Sequence, residues 1–365
     1  MISRRLLPTL DLNFLGTVLV IAAVGCTLIY SATYFGDPSL NILRKQLLWM
    51  AIGFALMAVF IVVDYHVLFD IAPILYGIGM VLLAYLLVWG KVRAHVRSWI
   101  QLPGGFQFQP SEFMKIFTAL MLARYFDRNE HAYLNARSFL KAMAIIALPV
   151  SLIMVQPDFG TAATFFPLVA VAMFFGGIRW KIWVAVGVAM IIALPVGWTL
   201  LKPYQKDRIV TFLNPDRDPL GKGYQVTQAK IAIGSGGIHG KGFRQGTQAK
   251  LEYLPARHTD FIFAVLAEEW GFLGVAFVLF LYGSFLFGCA EVAARARDRL
   301  GMLLAVGFFA TFAFHILWNT GMVVGLAPNS GIPLPFLSYG GSFMLFAFAA
   351  TGLVLGVDFR RYVNR

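Results

Sequence analysis

LNFLGTVLVIAAVGCTLIYSA, residues 12–32, runs for a bilayer's thickness without one charge. A helix of that length is about 30 Å long, which matches the hydrocarbon core of a membrane. Runs of the same kind recur near 46–63, 69–89, 111–126, 139–156, 159–176, 181–201, 261–287, 300–324 and 338–357. Over its 365 residues the chain is 59% hydrophobic and 13% charged, too little polar surface for a dissolved chain of this size. A membrane β-barrel would alternate over segments of about 10 residues, and the apolar runs here do not. The pattern predicts an all-α polytopic membrane protein with about ten transmembrane helices. A large outer (periplasmic) loop, 202–259, separates the seventh span from the eighth. With no low-complexity linker and no internal repeat, residues 1–365 read as a single membrane domain that includes this loop. The fifth and sixth spans meet at Gln156-Pro157-Asp158, as one broken helix or as a tight hairpin.

The formal net charge is +12. Nucleic-acid binding is one source of such a balance, but cytoplasmic loops of membrane proteins also collect Lys and Arg. With the N-terminus inside, the cytoplasmic segments hold fourteen basic residues and the short outer loops hold five. Both termini are therefore expected in the cytoplasm, with no nucleic-acid partner. Cys26 and Cys289 lie in or beside apolar spans and read as packing residues. The first span lacks a clear cleavage site and reads as retained.

Charges within spans cost at least about 2.5–3.5 kcal/mol each near the bilayer centre, and they persist where they face a cavity or a partner. Glu112 and Lys115 share one helix face, either as an ion pair or as a polar wall that touches an anionic substrate. Ser111 stands where a cap is expected. Asp158 suits a helix cap or the same cavity. Asp260 closes Arg257-His258-Thr259-Asp260 at the outer surface, where it reads as an N-cap or as a general base at the mouth of a lipid-exposed site. Glu268, about 80° round the helix from Asp260, is expected on the same cavity, and Glu269, about 180° round, needs another partner. Thr311, His315 and Asn319 form a polar stripe suited to helix-to-helix hydrogen bonds, and Gly321 with Gly325 form a small-residue packing pair.

Three segments fall on the outer side: 90–110, 202–259 and 325–337. Ala327 to Pro335 carries three prolines and cannot be regular helix; it reads as a re-entrant or capping loop over a cavity. Residues 202–259 hold ten basic and four acidic side chains. Glycines 234, 236, 237, 240, 242 and 246, with Lys241 and Arg244, suit phosphate oxygens. A nucleotide P-loop is excluded, because Ser235 and Gly242 stand where that motif needs Gly and Ser/Thr. Residues 223–233 read as an amphipathic helix on the outer surface. Asp216 and Asp218 are the carboxylates that would suit a divalent cation such as Mg or Mn. The histidines show no metal-ligand spacing, and no hydrolase motif of the G-x-S-x-G or H-E-x-x-H type is present.

Several stretches together resemble the SEDS family (shape, elongation, division and sporulation), and its rod-elongation branch in particular. They are Arg97-Ser98-Trp99-Ile100, Gln109-Pro110-Ser111-Glu112-Phe113-Met114-Lys115 and Gln156-Pro157-Asp158-Phe159-Gly160-Thr161. Further on come Gly223 to Gly274, with His258-Thr259-Asp260-Phe261, and Gly331-Ile-Pro-Leu-Pro-Phe-Leu-Ser-Tyr-Gly-Gly341. The resemblance covers nearly the whole chain in order. It implies a peptidoglycan glycosyltransferase that polymerises lipid II at the outer face of the bacterial inner membrane during cell elongation. It also implies a class B penicillin-binding protein transpeptidase as partner, alongside other elongation-complex membrane proteins. The family's essential acid/base Asp falls on Asp260. Arg97, Glu112, Lys115, Asp158, Lys241, Arg244, His258 and Thr259 are the expected substrate-binding residues, with no protein-bound metal among them. Two stretches depart from the family: Ser98 stands where members often carry Arg, and Pro328-Asn329-Ser330-Gly331 replaces a Pro-Val-Thr-Gly type sequence. A lipid II flippase and a non-catalytic scaffold for the transpeptidase are the alternatives. The first needs a polar path between leaflets, and the second has no need of Asp260.

Overall fold

The structure is a computed structural model that describes residues 11–34, 40–93, 96–102, 106–128, 136–175, 203–214, 221–251 and 253–363, with a few positions between 176 and 202. In chain order the helices are α1 (Leu12–Thr33), α2 (Asn41–Val62), α3 (Tyr65–Asp70), α4 (Ala72–Trp89), α5 (Pro110–Asp127), α6 (Ala136–Val155), α7 (Phe159–Ala163) and α8 (Phe166–Phe175). They continue with α9 (Pro203–Leu213), α10 (Lys222–Gly236), α11 (Thr247–Lys250), α12 (Ile262–Arg295), α13 (Arg299–Val324) and α14 (Gly341–Val363). Among the described residues, α1, α2, α4, α6, α12, α13 and α14 are long and apolar enough to cross a membrane. The expected fourth span is α5, equally long but charged. The sixth is split into α7 and α8, and α8 returns beside α6, which settles the Gln156-Pro157-Asp158 turn as a hairpin. The expected seventh span, 181–201, lies outside the described residues apart from isolated positions. The protein is a polytopic, all-α membrane protein.

Where the helix ends differ from expectation, one reason covers the cases. α2 begins at Asn41 instead of residue 46, α12 runs to Arg295 instead of 287, and α14 runs to Val363 instead of 357. In each case the helix continues through charged residues, because hydropathy marks the solvent while main-chain hydrogen bonds mark the helix. Ser111 lies inside α5, whose N-cap is Gln109. Gly325 packs against a lysine side chain, not against a second helix backbone. It ends α13 in the left-handed conformation (φ +83°), with Lys230 of α10 laid against it. The close helix packing is found between α2 and α14 instead, where a Cβ at Gly352 or Gly356 would run into the α2 main chain at Met57 and Phe60. Residues 90–110, expected as plain loop, hold three short antiparallel strands: β1 (Lys91–Arg93), β2 (Val96–Leu102) and β3 (Phe106–Phe108). β2 pairs with β3 in the register Ile100 to Phe108.

The proline-rich segment before α14 enters the bundle. Ile332, Leu334, Phe336 and Leu337 are buried. A Cβ at Gly25, in the middle of α1, would strike the main chain of Phe336 and Leu337, so this non-helical chain lies at membrane depth and is re-entrant. Such a backbone survives there only if protein groups satisfy it. Side chains do so along the segment: Asn319 donates to the Ile332 carbonyl (2.8 Å), Tyr282 to Pro335 (2.8 Å) and Gln46 to Ser338 (3.5 Å). The His315 ring nitrogen Nδ1 meets the Pro333 carbonyl at 3.1 Å. Phe336 then packs against Phe285, Phe312 and Phe348, which locks the segment to α12, α13 and α14.

Candidate active site

Asp260 closes a turn built by its own main chain. The Thr259 and Phe261 amides both donate to the Ala256 carbonyl, at 3.1 and 3.2 Å. The buried Arg257 reaches the other way, and its Nε donates to the Ala32 carbonyl at the end of α1 (2.6 Å). The His258 carbonyl accepts from the Tyr339 amide (2.9 Å), and the His258 ring lies edge-on to Tyr339. α12 begins at Ile262 with Phe261 as N-cap and no side-chain capping bond. Asp260 therefore stands one residue before the N-cap position. Asp260 is half-buried, and a Cβ placed on Gly331 would lie 3.6 Å from its Oδ2. The carboxylate thus stands over the re-entrant segment. Gly331 has φ +72°, so a side chain there would be strained. Burial, and then the neighbouring Arg257 charge, holds the His258 imidazole below its usual pKa and favours a neutral ring. Thr259 spends its hydroxyl on the Ala256 carbonyl.

A second polar cluster adjoins the same segment. Lys115 is buried and forms an ion pair with Glu112 (2.8 Å), so the ion-pair reading of that helix face holds. Its Nζ also lies 3.3 Å from His315 Nε2 and over the Phe346 ring. Asp158 caps α7 by accepting from the Thr161 amide (3.1 Å). It also accepts from Gln109 Nε2 (3.0 Å) and is close enough to act on Lys115 electrostatically. Gly160 packs against the Ser330 carbonyl, one residue before Gly331. Glu112, Lys115 and Asp158 thus adjoin the same re-entrant segment that the Asp260 carboxylate faces. Arg97 sits on β2, where its amide donates to Gln156 (3.2 Å) and its exposed guanidinium reaches the Leu87 carbonyl (3.3 Å). That places it beside the Gln156–Asp158 turn.

The glycine-rich loop is placed differently from expectation. α12 is broken at Gly271 (φ +64°, ψ −162°), and residues 237–242 fill the break. The Lys241 and Gly242 amides donate to the Glu268 and Glu269 carbonyls (2.9 and 3.0 Å). The Phe272 and Leu273 amides donate back to Gly237 and Ile238 (2.9 and 3.2 Å). Amides that seemed available for phosphate are consumed by a helix. Lys241 is paired with the buried Glu268 at 2.6 Å, which also accepts from Thr247 and from the Gln248 amide. Glu268 therefore belongs to this joint and not to the Asp260 cavity. Arg244 stacks over Tyr34 at 3.4 Å, and its main chain meets Glu269, whose other partner is Ser31 (2.5 Å). Lys241 and Arg244 thus both engage protein groups at this joint. The 223–233 helix is present as part of α10, packed on α12 with Ala229 and Ala232 buried.

Among the described residues no three His, Cys, Asp or Glu side chains gather as a metal set. Asp216 and Asp218 lie outside the described residues. Sequence reasoning did not foresee Arg257 as the anchor of the Asp260 turn. It read Asn319 as a helix-to-helix contact, although Asn319 binds the Asp260 carbonyl itself (2.9 Å). A fully buried Asn amid apolar residues was the only signal available for it.

The FtsW/RodA/SpoVE family profile, described as cell cycle protein, matches residues 4–362, and the chain belongs to that family of membrane proteins. Among its relatives is the peptidoglycan glycosyltransferase MrdB of Escherichia coli K12. It is 37% identical over 345 residues, covering 92% of this chain and 91% of the relative. The fold is similar to a chain in a structure described as "Structural coordination of polymerization and crosslinking by a peptidoglycan synthase complex". There the TM-score is 0.83 at 32% identity, covering 97% of this chain and 98% of the other. It is also similar to the rod shape determining protein RodA of Thermus thermophilus, with a TM-score of 0.72 at 29% identity, again covering 97% and 98%.

Proposed function

We infer that this chain is a peptidoglycan glycosyltransferase that polymerises lipid II, working as one membrane domain at the outer face of the bacterial inner membrane during elongation, with both termini in the cytoplasm. The observation that carries the assignment of the base is the half-buried Asp260. Its main chain is held by Asn319 and by its own turn, and its carboxylate stands over Gly331.

In this reading Asp260 takes the proton from the acceptor sugar hydroxyl. That oxygen attacks the anomeric carbon of the donor, the bond to the lipid diphosphate breaks, and the configuration inverts. Such a base contributes about 10²–10⁴ in rate. Diphosphate leaves without a strong acid, so the two-carboxylate arrangement of glycosidases is not required. Arg97, exposed beside the Gln156–Asp158 turn, is the remaining cation of the expected set that can meet the leaving group. Glu112, Lys115, Asp158, His258 and Thr259 shape the polar wall around the acceptor. The partner in this reading is a class B penicillin-binding protein transpeptidase, within a larger elongation complex.

The test is polymerisation of labelled lipid II by the purified protein with its transpeptidase partner, with and without a chelator. Wild type is expected to form polymer and Asp260→Asn to lose at least about 100-fold. Equal polymer from both removes Asp260 from the chemistry. The intramembrane Glu112–Lys115–His315 cluster is what favours the flippase alternative. That reading, or the scaffold one, takes over if wild type forms no polymer under any of these conditions.

A further inference from the structure

One buried polar side chain lies next to the site and is not used by the chemistry above. Asn319, on α13, is fully buried. Its Nδ2 donates to two carbonyls, those of Asp260 at 2.9 Å and Ile332 at 2.8 Å. An amide nitrogen has two hydrogens, and here each goes to the main chain of a different segment. One segment carries the Asp260 carboxylate. The other contains Gly331, the residue that carboxylate faces. A main-chain hydrogen bond from the Tyr339 amide to the His258 carbonyl (2.9 Å) also joins the two segments.

Its neighbours on the α13 stripe act elsewhere. His315 meets Pro333 and Lys115, and the Thr311 hydroxyl returns to Gly307 of its own helix at 2.8 Å. The Asn319 Oδ1 accepts no hydrogen bond from the described residues, so the pair of donors is what this amide contributes.

We propose that Asn319 is a positioning residue for glycosyl transfer: by holding the Asp260 and Ile332 carbonyls with one amide, it fixes the carboxylate relative to the re-entrant segment on which the acceptor sugar is deprotonated. The proposal rests on the reading of Asp260 as the base. Asn319 does not touch substrate in this scheme. Loss of its donors takes a hydrogen bond from each of the two carbonyls, and the turn relaxes away from Gly331. A displacement of about 1 Å at a reacting group costs about 100-fold in rate. Such a loss falls on turnover and leaves ground-state binding nearly intact. Alanine removes both donors, and aspartate keeps the volume while placing acceptors against two carbonyls.

The experiment titrates lipid II against the full-length protein in its transpeptidase complex and compares wild type, Asp260→Asn, Asn319→Ala, Asn319→Asp and Thr311→Ala. Thermal midpoints of the same preparations are measured alongside. Asn319→Ala and Asn319→Asp are expected to lower kcat about 10–100-fold, with KM within about threefold. Thr311→Ala, whose hydroxyl bonds only within its helix, is expected to stay near wild type. Wild-type turnover in either Asn319 variant overturns the proposal. A raised KM with kcat unchanged overturns it too, as does failure of both variants to fold, because the amide would then serve substrate binding or the fold. If Asp260→Asn polymerises as well as wild type, the base assignment itself fails, an outcome visible separately from the Asn319 results.

Discussion

Lys241 and Glu268 show how a single contact changes the meaning of a residue. Lys241 looked like a phosphate ligand, and the structure makes it the counter-ion of a fully buried carboxylate. Lys241→Ala should therefore leave Glu268 uncompensated and destabilise the protein by about 3 kcal/mol, read as a lower thermal midpoint, with KM for lipid II nearly unchanged. Adding Glu268→Gln should recover most of the loss. His258 gives a pH signature. Its folded pKa is depressed from 6.5, first by burial and then by Arg257. Above 6.5 the ring is neutral in both folded and unfolded chains and contributes nothing. As pH falls through 6.5 the unfolded chain takes up its proton first, so stability declines until the folded ring protonates as well. His258→Gln should flatten that decline, measured as thermal midpoint against pH between roughly 7 and 5. Asp260, Glu112, Lys115 and Asp158 were visible in the sequence because charge in an apolar run is costly and conspicuous. Asn319 was less visible, because a neutral amide has several uses and only its partners distinguish them.

At the scale of elements, α12 carries the main departure. Its sequence reads as one continuous apolar helix, and the break at Gly271 was not expected. Glycine alone tolerates φ +64° there, and a Cβ would also strike the main chain of Ile238 and Gly240. Gly271→Ala should cost at least about 1–3 kcal/mol and loosen the 237–242 insertion, seen as faster hydrogen exchange at the Lys241 and Gly242 amides. The three prolines of the re-entrant segment did announce its irregular backbone, because proline lacks the donor that a helix needs. Which side chains satisfy the carbonyls of that segment is a matter of contacts between distant helices, and no local pattern encodes it. The same holds for β1 to β3, whose pairing depends on chain reversals that read locally as loop.

For the whole molecule, the orientation predicted from Lys and Arg is open to direct measurement. In a background without Cys26 and Cys289, Leu251→Cys, exposed at the Asp260 end, should react with a membrane-impermeant maleimide added to the outside of cells. Ala294→Cys, exposed near the inner end of α12, should react only after permeabilisation. The reverse pattern would place Asp260 in the cytoplasm and end the reading of an outer-face transferase.

The sequence by itself determined the class of protein: apolar runs of bilayer length leave helices as the stable solution, since each helix satisfies its own main chain in lipid. Its ordered motifs also pointed to the family and to Asp260. The tertiary structure decided which polar groups meet. It joined Lys241 to Glu268 and Arg244 to Tyr34 at the break in α12, and it brought Glu112, Lys115 and Asp158 to the re-entrant loop that Asp260 also faces. The physical reason is that burial makes an unpaired donor or acceptor costly, and the partners come from segments far apart in the chain, as Ser31 and Glu269, Lys115 and His315, and Asn319 and Asp260 do here.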